Sequence, residues 1–311
     1  MNNVSRPAAG LKLSQAQVGT VALLAAMTLW GTAYVAAKFA LRDLGPMTAA
    51  FTRFGLATLI TLPILFFVHG WQPIRREYVL ALIGSALFQT TFYFALQYSG
   101  LRYTSAANTA LIVNTRPLVI VLLAQVFLRE RLTRKKWLGL LVAFLGVVIL
   151  IGGPSANLPP EHVWGDFLIV LNALSAGLGI LCAKKVLACY NPFTALVYQI
   201  ALGTLGLLPL ALIETNGQIP MGSPTSWSAI MFMAVFCTAI PQVLLNVGLT
   251  KMDASQAAPF YFLVPVLNAI IAYYFLSEPI TWALAMGGVL ILLGNYWASS
   301  NGSHQRVKSG N

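Results

Sequence analysis

Apolar residues run in stretches of roughly twenty along almost the whole 311-residue chain, broken by short segments rich in Gly, Pro, Asn and Ser. An α-helix needs about 20 mostly apolar residues to cross a hydrocarbon core of about 30 Å. Ten such spans are predicted, at about 18–41, 46–68, 78–98, 104–128, 137–152, 165–186, 192–213, 227–249, 254–276 and 281–299. Helix is the expected state, because open strands would leave backbone groups unpaired in lipid and barrel strands are only about 10 residues long. The longest breaks are GGPSANLPPEHVW at 152–164 and ETNGQIPMGSPTS at 214–226. The expectation is an all-α polytopic membrane protein of ten transmembrane helices.

Composition agrees with that pattern. Hydrophobic residues make up 58% of the chain and charged ones 9%, against about 45–50% apolar residues in soluble domains. The net charge of +11 would point to nucleic acid in a soluble protein, and FLRERLTRKK at 127–136 is the densest basic run. Its flanks are apolar spans, so nucleic acid is not an expected partner; the lipid bilayer is. With the N-terminus inside, the loops on that side carry Arg6, Lys12, Arg75, Arg76, Arg129, Arg131, Arg134, Lys135, Lys136, Lys184, Lys185, Lys251, Arg306 and Lys308, and the other side only Arg42 and Arg102. Such a bias marks cytoplasmic loops, which predicts an inner-membrane protein with both termini cytoplasmic. The first apolar run is too long for a signal-peptide core, so it is read as a retained span. Cys182, Cys189 and Cys237 show neither metal-ligand spacing nor a disulfide framework and read as small buried hydrophobes.

The two halves repeat. At an offset of 148, Pro117 falls on Pro265, Ala124 on Ala272, Phe127 and Leu128 on Phe275 and Leu276, Glu130 on Glu278, Thr133 on Thr281, and Gly139 and Gly146 on Gly287 and Gly294. At an offset of 146, Gly31 meets Gly177, Lys38 meets Lys184, Pro46 meets Pro192 and Pro63 meets Pro209. The predicted organisation is a cytoplasmic tail 1–17, a first five-span unit 18–152, an extracytoplasmic linker 153–164, a second unit 165–299 and a disordered cytoplasmic tail 300–311. Five spans per unit is odd, so the second unit must lie upside down relative to the first. Inverted repeats recur in secondary transporters, with the substrate near the midplane between them.

Trp30-Gly31 in the first span, the basic Arg53 in the second, a P-x12-E-x-(L/I)-T pattern in spans four and nine, and glycines in spans five and ten together resemble the EamA type of the drug/metabolite transporter (DMT) superfamily. The resemblance covers about Val18 to Ala298. It implies a transporter of small organic metabolites, among which amino-acid exporters, including exporters of aromatic amino acids, are prominent.

Charge inside a membrane is expensive and marks candidate function. Lys38, Arg53 and Arg116 fall within predicted spans. Lys38 could snorkel to the surface, Arg53 could do so or tie helix ends through carbonyls, and Arg116 lies deepest. The acidic residues and the three histidines all fall in loops or at span ends, which disfavours a proton-coupled exporter of cationic drugs and favours a substrate bearing a carboxylate. Ser85, Gln89, Tyr93 and Gln97 form a polar stripe at helical spacing on the third span, and Thr238, Gln242 and Asn246 another on the eighth. Asn108, Asn114, Asn172, Tyr198, Gln199 and Tyr261 are further cavity candidates or helix-to-helix hydrogen bonds, and Trp30, Tyr34, Tyr93, Tyr198 and Tyr261 could stack on a substrate. Glu130 and Glu278, with Pro117 and Pro265, are gate or structural candidates.

No Walker motif, dinucleotide fingerprint, zinc spacing or nucleophile elbow is present, so neither a cofactor, a metal nor catalysis is expected. The expected function is secondary export, by alternating access, of a small molecule such as an amino acid. The alternatives are a multidrug or nucleoside-type exporter and, further off, a nucleotide-sugar or sugar-phosphate exchanger or an intramembrane enzyme. The sequence carries no statement on oligomeric state.

Overall fold

A computed structural model of the chain describes residues 14–70, 72–128, 133–152, 160–251 and 258–299. The described residues are helical apart from short turns, and helices account for all ten spans. Six are long and apolar enough to cross a membrane by themselves. The first, Gln15–Ala40, starts at a capping box in which Ser14 and Gln17 satisfy each other's backbone N–H. The second, Pro46–Ile64, and seventh, Pro192–Thr215, each open on a proline, whose missing N–H costs nothing in a first turn. The fifth is Arg134–Gly152 and the tenth Trp282–Ser299. The sixth runs Pro160–Leu187, so residues 160–164 belong to the helix and not to the expected linker. Pro160 tolerates the first turn, and Glu161 complements the positive end of the helix dipole.

Two pairs of spans are interrupted, and the interruptions obey the repeat. The third span is Val79–Ala86 and Phe92–Tyr103 joined through a π turn, Leu87–Thr91. The eighth is Pro224–Ala234 and Ile240–Lys251 joined through a π turn, Val235–Ala239, at an offset of 148. The fourth breaks between Ala106–Val113 and Arg116–Leu128, and the ninth, Leu263–Leu276, is preceded by a 3-10 turn, Ala258–Phe262. Pro117 and Pro265 each sit in the first turn of the segment that resumes, where proline fits without kinking a helix.

Glycine contacts establish the inversion directly. A Cβ on Gly146 would meet the Gly287 carbonyl at 2.8 Å, and one on Gly294 would meet the Gly139 carbonyl at 2.5 Å. Gly139 and Gly146 are the repeat equivalents of Gly287 and Gly294, so the fifth and tenth spans pack as an antiparallel, self-complementary pair. A two-fold axis across the helices is the only relation that pairs equivalent helices in this way. The same axis appears where Gly100 packs against Gly165 and Ile169, and where Gly248 packs against Gly19 and Leu23.

The two ends of the bundle differ. At the end where the first span passes into the second, the Asp43 end, carboxylates of one half take hydrogen bonds from the other. Asp43 accepts from Ser223 N (3.1 Å), Ser226 Oγ (2.7 Å) and Ser223 Oγ. Glu214 accepts from Met47 N (3.1 Å) and from Thr48 N and Oγ1 (2.8 and 2.7 Å). Glu278 accepts from Ala106 N (2.8 Å) and Ala107 N (3.1 Å), and Asp166 from Thr104 Oγ1 and Asn108 Nδ2 (3.2 Å). At the opposite end, among the described residues, the cross-half bonds are neutral: the Tyr190 hydroxyl donates to Pro73 O (3.1 Å) and accepts from Arg75 N (2.8 Å), and Tyr198 donates to Gln72 O.

Candidate functional site

Between the two halves lies a cavity of about 880 Å³, lined from the first, second, third, fourth, sixth, seventh, eighth, ninth and tenth spans. Its walls follow the two-fold axis. Trp30 and Ala176 are repeat equivalents and both line it, as are Arg53 and Gln199, Phe54 and Ile200, Thr90 and Thr238, and Asn114 and Phe262. Equivalent positions thus carry different side chains, which gives a symmetric container an asymmetric chemistry.

The π turns are what bring polar groups to the wall. Each inserts an extra residue into a helix and frees a backbone carbonyl, as π bulges do at functional sites. Phe88 O, in the π turn of the third span, accepts from Ser175 Oγ (2.7 Å); Cys237 O, in that of the eighth, has no helical donor because residue 241 is Pro241, and accepts from Arg53 Nη2 (3.2 Å). The extra residue also changes the face presented on either side of the turn. Gln89, Tyr93 and Gln97 line the cavity, whereas Ser85, placed on the same stripe by straight-helix spacing, is buried away from it and donates to Leu82 O (2.9 Å). Thr238 and Gln242 line the cavity; the side chain of Asn246 lies outside the described groups.

Two guanidinium groups face this space, in opposite states. Arg53 is 6% exposed and each of its guanidinium nitrogens has a partner: Nε donates to Thr238 Oγ1 (3.1 Å), Nη1 to the Tyr98 hydroxyl (2.9 Å) and Nη2 to Cys237 O, with the Phe54 and Phe94 rings 5.0 and 5.4 Å from its central carbon. Arg116 has one polar partner, the Tyr93 hydroxyl, and its central carbon lies 4.8 Å from the Tyr93 ring centroid. Its buried Nε has no acceptor. Among the described residues no Asp, Glu, His or Lys lines the cavity, so its formal charge comes from two arginines alone. Amides of Gln89, Gln97, Gln199, Gln242 and Asn114 supply donors and acceptors, and the Gln89 amide reaches Gln199 Oε1 at 3.3 Å. Trp30, Tyr34 and Tyr261 line it as well, with Trp30 and Tyr261 rings 6.1 Å apart.

The structure does not bring every candidate to this space. Lys38 lies outside the lining and interacts electrostatically with Glu278. Asn172 spends its amide N–H on Tyr93 O (2.6 Å), Asn108 on Asp166, and Tyr198 packs among Leu65, Leu82 and Tyr190. These are helix-to-helix ties, and they arise because a buried amide or hydroxyl in an apolar bundle bonds the nearest backbone or carboxylate. Pro117 lines the cavity; Pro265 is buried off it, and Glu278 holds the start of the fourth span. Glu130 lies outside the described residues.

Sequence reasoning missed Glu214 as a cross-half acceptor and treated Asp166 as a span-end residue. The helix begins five residues earlier than expected, so Asp166 sits in its second turn, 1% exposed, with His162 Nδ1 at 3.6 Å. Tyr98 and Tyr296 also line the cavity. The four lining residues that are exposed are Pro117, Leu249, Tyr261 and Tyr296. Leu249 and Tyr296 lie in the last turns of spans that finish at the Tyr190 end, while Arg53 and Tyr98, toward the Asp43 end, are buried.

A model of the EamA-like transporter family matches the chain twice, over residues 17–152 and 163–300. A protein of Archaeoglobus fulgidus described as an uncharacterized transporter is 28% identical over 280 residues, covering 90% of this chain and 96% of that protein. The uncharacterized transporter YyaM of Bacillus subtilis is 30% identical over 287 residues, covering 90% and 92%. A crystal structure with a TM-score of 0.61 and 20% identity covers 91% of this chain and 96% of its own, which shows a shared fold.

Proposed function

We propose that this chain, which belongs to the EamA-like transporter family, exports a small organic metabolite bearing a carboxylate, most simply a free amino acid. Membrane transport is the family's activity; the substrate, the direction and the mechanism are our reading. The observation that carries it is Arg116. A guanidinium has five N–H donors in a planar fork that matches a carboxylate, and this one faces the cavity with its Nε unpaired and a single tyrosine as polar partner. Leaving a buried charged donor unmatched is costly, so the position favours a ligand that supplies the acceptor. Each nitrogen of Arg53 already has a protein partner, and we read it as the floor of the site.

The amide side chains around the cavity suit an ammonium group through their oxygens, and Trp30, Tyr34 and Tyr261 suit a flat or apolar side chain. Alternating access fits the inverted halves: one end is laced by carboxylates and the exposed lining residues include two at the other. The distribution of Lys and Arg supports an inner membrane with both termini, and the Tyr190 end, cytoplasmic.

The test is uptake and counterflow in proteoliposomes with a panel of amino acids, their carboxyl amides, nucleosides and lipophilic cations. Amino acids are expected to move, their amides to move poorly, and Arg116→Ala to abolish the difference. Movement of cations alone, untouched by Arg116→Ala, would overturn the carboxylate reading.

A further inference from the structure

Two carboxylates of the Asp43 end, Glu214 and Glu278, accept hydrogen bonds from helix starts in the other half. The helix starting at Pro46 has no side-chain cap of its own: Gly45 precedes it, and Pro46 has no N–H. The next two free N–H groups, of Met47 and Thr48, are both taken by Glu214 from the other half. A side chain at position 45 would overlap the Glu214 carboxylate, so glycine there makes room for it. The helix starting at Ala106 behaves alike. Ser105 takes the Asn108 N–H, and the first two, of Ala106 and Ala107, go one to each oxygen of Glu278.

An ionised carboxylate is a pure acceptor, and a protonated one carries a donor. Both oxygens of Glu278 face backbone N–H groups, which cannot turn round to accept. Protonation therefore removes one bond and the charge that the positive helix end favours. The same holds for Glu214, whose Oε1 and Oε2 both meet backbone N–H. Protonating either glutamate thus weakens the contact that holds its helix start.

We propose that Glu214 and Glu278 form a proton-operated closure, which holds the starts of the second and fourth spans while ionised and releases them when protonated. The charged group facing Glu278 is Lys38; the loop that abuts Glu214 carries Arg42 and Asp43, the latter bonded to Ser223 and Ser226. Asp166, with His162 at 3.6 Å, lies at the same end.

The repeat equivalent of Glu214 is Val68, that of Asp43 is Cys189 and that of Asp166 is Thr20, while that of Glu278 is Glu130, which lies outside the described residues. The Glu214 contact therefore has no carboxylate counterpart at the other end. The inference rests on the transport reading only in treating the movement as a gate.

Hydrogen–deuterium exchange of the full chain in lipid nanodiscs, without substrate, tests it. Between about pH 7 and about pH 4.5, a range that brackets ordinary glutamate ionisation, peptides holding Met47–Thr48 and Ala106–Ala107 are expected to lose protection roughly tenfold beyond the intrinsic rate change. Peptides around Gly146 and Gly287 should not. Glu214→Gln and Glu278→Gln are each expected to lower protection at their own helix start at both pH values and to remove its pH dependence. Protection that ignores pH in the unmodified protein overturns the proposal even if the variants fail to fold, as does pH dependence that survives in a folded glutamine variant. Because no substrate enters the measurement, a wrong cargo assignment leaves its outcome unchanged.

Discussion

Arg53 and Gln199 occupy equivalent positions in the two halves, and each reaches the π-turn threonine of the other half: Arg53 Nε lies 3.1 Å from Thr238 Oγ1, and Gln199 Nε2 lies 3.5 Å from Thr90 Oγ1. The two-fold axis therefore relates hydrogen bonds as well as helices. Arginine adds what glutamine cannot, two further donors that reach the Tyr98 hydroxyl and the carbonyl freed at Cys237. Replacing Arg53 by glutamine, its own counterpart, leaves that buried carbonyl and hydroxyl short of a donor. The expected cost is about 1–3 kcal/mol of stability, read as a lowered melting temperature of the purified protein, with Tyr98→Phe costing less. A melting temperature equal to that of the unmodified protein would show that Arg53 is not the structural member of the pair.

For Arg116 the expected change reaches transport as well. Among the described residues its hydrogen-bond partner is Tyr93, whose carbonyl is in turn held by Asn172 and whose hydroxyl also receives Gln97 Nε2 at 3.4 Å. Tyr93→Phe leaves the ring beneath the guanidinium and removes the hydroxyl that orients it. We expect KM for a carboxylate substrate to rise roughly tenfold, the worth of one hydrogen bond to a charged group, and the melting temperature of the substrate-free protein to fall, since Arg116 then lacks its hydrogen-bond partner. An unchanged KM in transport assays would remove Tyr93 from the substrate site.

Helix approach at the two-fold axis admits no side chain. Gly146→Val sets a Cβ at 2.8 Å from the Gly287 carbonyl and adds two methyl groups beyond it. Backbone cannot yield as a flexible side chain would, so a loss of about 1–3 kcal/mol or more is expected, along with poor yield of folded protein. Gly287→Val should match it, since the two glycines face each other. Gly55→Ala, whose Cβ would meet only a threonine methyl at 3.9 Å, is the control and should be tolerated.

Asp43 gives a pH signature from outside the membrane. Hydrogen bonds from the Ser223 hydroxyl, the Ser226 hydroxyl and the Ser223 N–H, with Arg42 nearby, hold its carboxyl below the ordinary aspartate range. A depressed carboxyl stabilises the folded state above its unfolded value, about 3.9, and that contribution fades as pH falls through the lower folded value. The melting temperatures of the unmodified protein and of Asp43→Asn should therefore differ near neutrality and converge in strong acid. A gap of constant size across that range would count against an ionised Asp43 in the contact.

Topology is open to a direct check. A reporter fused after Asn311 is expected in the cytoplasm and one inserted near Asn157 outside it, because fourteen of the nineteen Lys and Arg residues fall on the side of the termini. Placing both reporters on one side would break the ten-span arrangement.

The sequence by itself determined the span count, the five-plus-five division and the inversion, because crossing a bilayer imposes length, apolarity and charge bias on each segment independently. It also picked out Arg116, since a guanidinium amid apolar residues is conspicuous without knowing its neighbours. What it could not determine was rotation. Ser85 shares a straight-helix stripe with Gln89 and Tyr93, and the π turn at Leu87–Thr91 separates them; nothing in those five residues announces an extra residue in the turn. Nor could it distinguish Arg53, whose nitrogens each have a partner 45 to 185 positions away, from Arg116, left almost bare. Glu214 looked like a loop residue until Gly45 was seen to leave room for it. Which polar groups face a cavity, and which are spent on holding helices together, depends on distances between spans far apart in the chain, and those exist only once the two halves have packed about their common axis.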